Sequence, residues 1–200
     1  MKRNQALLIV DVQNDFCPGG ALAVPQGDQV IPILNKYIQE FLKRLLPIFA
    51  SRDWHPKKTT HFKDFGGPWP VHCVQKTNGA EFHEDLNLPK ETTIISKGMD
   101  PDQDSYSAFQ GFDSHRKPFQ AILKSIGIQE LYVGGLATDY CVKSSCLDAL
   151  KNGYRVNLLS DAIKGVNLNP ADSDEAINQM LEQGAEKVTL QDVSKLLPAR

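Results

Sequence analysis

The chain reads as an α/β protein, a six-stranded parallel sheet with helices on both faces in a three-layer arrangement. Three observations predict it. Short apolar runs alternate along the chain with stretches whose apolar residues recur every three to four positions. The first run, Ala6 to Val12, is apolar throughout except at Asp11, as in a parallel strand buried on both sides. The run ending at Leu136 passes through Gly134, Gly135 and Ala137 directly into a helical pattern, as a strand feeding a crossover helix does.

Each element follows in order. The first strand carries Asp11 at its carboxyl end. Gly19, Gly20, Pro25 and Gly27 mark a loop, after which Asp28 is placed to cap a helix. Ile31, Leu34, Ile38, Phe41, Leu42 and Leu45 form that helix's apolar face, and Pro32 is tolerated in its first turn. Pro47 to Ser51 is the second strand. The stretch from Asp53 to Lys90 has neither period, yet it holds both tryptophans and four of the five histidines. An aromatic-rich irregular stretch this long reads as a functional loop. Thr92 to Ser96 is the third strand, ending at Lys97-Gly98, and Pro118 to Gly127 brackets a short helix. Ile128 to Leu136 is the fourth strand. The next helix takes Thr138 as N-cap, buries Val142, Cys146, Ala149 and Leu150, and stops at Gly153. Tyr154 to Ser160 is the fifth strand, a helix runs from about Ala171 to Gln183, and Lys187 to Leu190 is the sixth strand.

At 200 residues, 41% hydrophobic and 23% charged, the chain fits a single domain, residues 1–200, with a large core. A formal charge of -2 without Lys/Arg clusters gives no footprint for nucleic acid or an anionic membrane. The five apolar residues before Asp11 fall short of the roughly 7 to 15 of a signal peptide, and no stretch approaches the roughly 18 of a membrane span. Cys17, Cys73, Cys141 and Cys146 contain no CxxC pair, so neither a disulfide scaffold nor a structural zinc knot is indicated. A cytoplasmic protein with a small-molecule partner is the expectation.

Cys141 would sit near the third residue of its helix. There its NH lacks an intrahelical partner and the macrodipole favours a thiolate, so a lowered thiol pKa and a nucleophilic role are expected. NH groups from the turn would converge beside the sulfur as an oxyanion hole. Alone, such a cysteine would be an ordinary small buried residue. However, Asp11, Asp53 with His55, Lys97 and Cys141 follow four different strands, and ligands of parallel sheets bind beyond the carboxyl ends. Asp53 and His55 share a face of an extended segment, with His61 and His72 in the same loop and Asp64 as a spare. One carboxylate and three imidazoles suit zinc, iron(II) or manganese. His83 and His115 are assigned no role.

These residues resemble a known family. Val10-Asp-Val-Gln-Asn-Asp-Phe16, Asp53-Trp-His55 with His61, Trp69-Pro-Val-His-Cys-Val74, Lys97-Gly98, Asp104-Ser-Tyr-Ser-Ala-Phe109 and Gly135-Leu-Ala-Thr-Asp-Tyr-Cys141 look like motifs of the nicotinamidases, or pyrazinamidases, among the isochorismatase-like cysteine hydrolases. The resemblance covers most of the chain. It implies conversion of nicotinamide to nicotinate and ammonia, and of pyrazinamide to pyrazinoate, through a thioester acyl-enzyme in NAD salvage. It implies Cys141 as nucleophile, Asp11 as base and Lys97 as the cation of the array. A cis peptide at Leu136-Ala137 would accompany an oxyanion hole made by the NH groups of Ala137 and Cys141. One divalent metal ion would be held by Asp53, His55, His61 and His72, and Phe16, Trp69 and Tyr106 would enclose the ring. A homo-oligomer stays open.

The runner-up is another cysteine hydrolase of that superfamily, acting on an N-carbamoyl or ureido amide with Asp11, Lys97 and Cys141 but without the full metal set. A non-catalytic metal-binding protein is disfavoured by the intact Asp11, Lys97 and Cys141. A dinucleotide binder is disfavoured because no GxGxxG follows the first strand.

Overall fold

The computed structural model describes residues 4–197. Its strands are β1 (Gln5–Val10), β2 (Ile48–Asp53), β3 (Thr93–Lys97), β4 (Glu130–Leu136), β5 (Arg155–Lys164) and β6 (Glu186–Val188). They pair in parallel in the order β3-β2-β1-β4-β5-β6. The helices are α1 (Ile31–Lys43), α2 (Phe119–Ser125), α3 (Lys143–Lys151), α4 (Asp172–Glu182) and α5 (Leu190–Leu196). Among the described residues no helix is long and apolar enough to cross a membrane.

The two-sided burial of β1 follows from the strand's period of two. Leu7 and Ile9 pack with Leu34, Tyr37, Ile38 and Phe41 of α1 and with Val193 of α5. Ala6, Leu8 and Val10 face the other way, onto Phe119 and Leu123 of α2, Cys146 and Ala149 of α3 and Met180 of α4. Each fully buried leucine contributes about 1.5–3 kcal/mol, so Leu8→Ala in this central strand would be among the most damaging single changes. Consecutive strands run outward from β1 on one side and from β4 on the other. The order therefore reverses between β1 and β4, and a crevice forms at their carboxyl ends. Close approach of these strands explains Gly135: at φ 121° it lies where a Cβ would fall 2.1 Å from Val10 O.

The structure corrects four local expectations. Asp28 does not cap α1; it lies in a 3-10 turn, Gly27–Val30, that leads into the helix, and Val30 is the N-cap residue. Pro32 does occupy the first turn. Thr138 is not the cap of the helix after β4: Ala137 is, and Thr138–Val142 forms a wide π turn before α3, which makes Cys141 its fourth residue. β5 runs on to Lys164. β6 stops at Val188, and Leu190 opens α5 instead of closing a strand.

Candidate active site

The ends of four strands meet above the crevice. Asp11 directly follows β1 with φ 49°, its NH bonded to Ser51 O at 3.2 Å and its Oδ1 accepting from Ser51 Oγ at 2.7 Å. Asp53 closes β2 in register with Lys97, the last residue of β3. Lys97 Nζ lies 2.9 Å from Asp11 Oδ2, donates to Asp53 Oδ1, and sits 3.4 Å from both Cys141 Sγ and Ser105 O. The structure thus joins Asp11, Lys97 and Cys141, as the sequence predicts. All are buried, at 0, 1 and 6% exposure, so these charges interact without water between them.

Burial and pairing compete at each group. For Lys97, burial disfavours the ammonium, but Asp11 and Asp53 outweigh it and hold its pKa well above the usual lysine value. Burial pushes the Asp11 carboxyl up despite Lys97, and the charge of Asp53 adds to the rise. For Asp53 burial again opposes ionisation, but Lys97 and then His55 prevail and keep it far below the ordinary carboxylate range. Cys141 departs from expectation: burial pushes its thiol well above the usual value, Lys97 opposes this, and Asp11 and Asp53 reinforce it. A helix N-terminus is too weak a field to overcome burial beside two carboxylates and one ammonium. Burial and the two carboxylates favour the protonated thiol, whose sulfur lies within 4.8 Å of an Asp11 carboxylate oxygen.

A second cluster shares Asp53. His55 Nδ1 lies 3.0 Å from Gly98 O, His61 Nδ1 2.6 Å from Asp104 Oδ1, and His72 Nδ1 2.7 Å from Pro70 O. A ring nitrogen facing an oxygen acceptor must be the donor, which leaves the lone pair on Nε2 of all three rings. Ligating nitrogens of the three rings lie within 4.8 Å of one another. Asp53 Oδ2 is 3.6 Å from His55 Nε2 and 3.9 Å from His72 Nε2, while its Oδ1 faces Lys97. His55 Nε2 is buried without a hydrogen-bond partner. Three converging lone pairs, an orphaned nitrogen and a carboxylate oxygen fit a divalent metal ion. Gly98 serves this arrangement, because a Cβ there would lie 2.5 Å from His55 Cε1. The spare candidate Asp64 is exposed and lies outside the cluster.

Between the two clusters lies a cavity bounded by Cys141, Ala137, His61 and His72. Phe16, Trp69 and Tyr106 form walls, joined by Tyr140. Trp69 Nε1 donates to Tyr106 OH at 2.9 Å, and the Trp69 and Tyr140 rings meet edge to face with centroids 5.0 Å apart. Peptide Leu136-Ala137, at the lip, is cis. Sequence reasoning did not single out Tyr140, Asp104, Gln13 or Asp15. Gln13 clasps Asp53 from both sides, Oε1 accepting its NH and Nε2 donating to its carbonyl, each at 2.8 Å. Asp15 accepts from Cys73 N at 2.7 Å beside His72. The dense polar run Gln13-Asn-Asp15 behind a strand was the available signal.

A buried thiol with charged partners thus lies at the carboxyl rim of an open parallel sheet. A family model for the isochorismatase domain matches residues 5–192, and the chain belongs to that family. It is 43% identical over 206 residues to the nicotinamidase of Escherichia coli, covering 94% of this chain and 96% of that one. It is 38% identical over 165 residues to the nicotinamidase/pyrazinamidase of Mycobacterium tuberculosis, covering 81% and 87%. The fold superposes on a pyrazinamidase of Pyrococcus horikoshii in complex with zinc with a TM-score of 0.86 at 45% identity, covering 94% and 99%. The chain is an amide hydrolase.

Proposed function

We propose that the protein is a metal-dependent nicotinamidase that converts nicotinamide to nicotinate and ammonia, and pyrazinamide to pyrazinoate, in cytoplasmic NAD salvage. The observation that carries this reading is one aromatic-walled cavity with a buried Asp11–Lys97–Cys141 array on one side and three converging imidazoles on the other. Phe16, Trp69 and Tyr106 enclose the flat ring and direct its amide toward Cys141. Asp11 takes the thiol proton as Sγ attacks the amide carbonyl carbon, and NH groups of Ala137 and Cys141 hold the oxyanion. Asp11 then passes that proton to the amide nitrogen, the C–N bond breaks, and ammonia leaves a thioester on Cys141. In the second half Asp11 takes a proton from water as its oxygen attacks the thioester. The C–S bond breaks, and Asp11 returns the proton to sulfur. Lys97 stays protonated throughout and prevents Asp11 and Asp53 from repelling one another. Asp53, His55, His61 and His72 would hold zinc, iron(II) or manganese, which supplies Lewis acidity toward a ring nitrogen and toward water.

The test compares ammonia release from nicotinamide, pyrazinamide, benzamide and an N-carbamoyl amino acid with metal supplied. Benzamide keeps the ring but lacks its nitrogen, and its kcat/KM should be lower by ~100-fold, the value of a few kcal/mol of lost orientation. Equal turnover of benzamide and nicotinamide, or preference for the carbamoyl compound, would overturn the assignment.

A further inference from the structure

Each imidazole of the cluster is oriented by an oxygen on its Nδ1, but the three oxygens differ in kind. His55 and His72 face main-chain carbonyls, of Gly98 and Pro70, which no substitution removes. His61 faces a side chain: Asp104 Oδ1 lies 2.6 Å from its Nδ1, and the Asp104 side chain is 49% exposed whereas that of His61 is 4% exposed. We propose that Asp104 is a positioning residue for the metal, fixing His61 as the third imidazole ligand and strengthening it through the negative charge on its far side. This rests on the reading that Asp53, His55, His61 and His72 hold an ion.

The surroundings of His61 make such a partner necessary. It lies in the loop between β2 and β3 and belongs to no strand or helix that would set its ring plane. Its segment is fastened to the chain beyond Lys97 at two points: Thr60 N and Oγ1 donate to Pro101 O at 2.8 and 3.1 Å, and His61 donates to Asp104. The first point holds the backbone and the stack on His55 limits the ring plane, while the bond to Asp104 sets the tautomer. Without Asp104 the stack on His55, with ring centroids 4.6 Å apart, still limits the ring plane, but the ring can carry its proton on either nitrogen, and one of the two tautomers presents no lone pair to the metal. The segment bearing Asp104 also supplies Gly98 O to His55 and Ser105 O to Lys97. A fault in it would therefore be felt at the metal cluster and at Lys97 alike.

The experiment uses the full chain loaded with zinc and the variants Asp104→Ala, Asp104→Asn and His61→Ala. Zinc transfer to an excess of chelator is timed, and thermal midpoints are measured with and without zinc. Asp104→Ala should release zinc about 10–100-fold faster than the unmodified protein. Asp104→Asn, which keeps an oxygen acceptor but not the charge, should fall between. The chelated Asp104→Ala protein should melt where the chelated unmodified protein does, with only the zinc-dependent rise reduced. Adding Asp104→Ala to His61→Ala should not accelerate release further, because the aspartate acts through the histidine. Zinc held as tightly by Asp104→Ala as by the unmodified protein would overturn the proposal. So would an equal loss of thermal midpoint in the chelated protein, which would mean a structural role. If His61→Ala also leaves release unchanged, His61 is no ligand and the proposal falls with it. Nicotinamide turnover by the unmodified protein judges the functional reading separately.

Discussion

Replacing Lys97 with methionine tests the charge array directly, because methionine keeps the length of the stem and removes only the ammonium. In the structure that ammonium sits 2.9 Å from Asp11 and is hydrogen-bonded to Asp53, with Lys97 1% exposed. Its loss leaves two carboxylates buried side by side with no cation. Breaking a buried pair in this way costs about 3–5 kcal/mol, and at about 2–4 °C per kcal/mol for a domain of this size the chelated protein should melt about 6–20 °C lower. One carboxyl will take up a proton. Asp11 is that group, since burial raises its pKa even beside Lys97, whereas Asp53 keeps His55 and His72 as partners that lower its own. A protonated Asp11 cannot accept the thiol proton, so ammonia release should fall by the 10²–10⁴-fold typical of a lost general base. The sign of the pH effect follows. A carboxyl whose folded pKa is raised binds more protons folded than unfolded, so the variant should lose stability as pH rises above the usual carboxylate range and recover it on acidification. Denaturant titrations of chelated protein from pH 4 to 8 measure the stability, and an ammonia assay with metal supplied measures the rate. Activity within tenfold of the unmodified protein together with an unchanged melting point would refute the reasoning.

Cys141→Ala should lose turnover to background yet still bind nicotinate, measurable by calorimetry, because the cavity walls remain. With limiting iodoacetamide, peptide mapping should find Cys141 labelled before Cys17, Cys73 and Cys146; it is 6% exposed and lines the cavity, and the others are at most 1% exposed. Chelation should abolish activity and added zinc, iron(II) or manganese restore it, while His55→Ala should fail to retain metal in elemental analysis. The chelated protein should also be acid-sensitive through His72, whose pKa burial lowers from 6.5 to about 4. That shift supports stability fully above pH 6.5 and withdraws about 3 kcal/mol as pH falls to 4, a loss that His72→Gln should remove from the stability profile.

What the sequence made legible was the placement of chemistry on strand ends. Asp11, Asp53, Lys97 and the turn before Cys141 each follow an apolar run, and a parallel sheet brings such positions to one rim whatever the loops do. Features set by short local geometry were harder to read. The start of α5 reads as strand in the sequence because β6 is only three residues long, although Thr189 and Asp192 form the capping box that announces the helix. The π turn before α3 has no compositional mark. Asp104 opens the Asp104–Phe109 motif, but its bond to His61 spans 43 residues and no spacing rule reaches that far.

The state of Cys141 was misjudged for a reason that bears on the chemistry. Position at a helix start argues for a thiolate, and that argument considers one dipole and one sulfur. In the folded protein the sulfur shares its buried space with Asp11, Asp53 and Lys97, a set carrying one net negative charge before the thiol ionises. A thiolate would be the third anion around a single ammonium. It is therefore disfavoured at rest and becomes accessible when its proton moves to Asp11, since that transfer leaves the number of negative charges unchanged. Burial of Asp11 raises its affinity for that proton and brings the carboxyl and the thiol closer in basicity. In the proposed reaction, the same buried array that suppresses a standing thiolate would let the proton pass between sulfur and carboxylate and on to the departing nitrogen. Lys97, in contact with Asp11 and Cys141 both, offsets whichever of the two is charged.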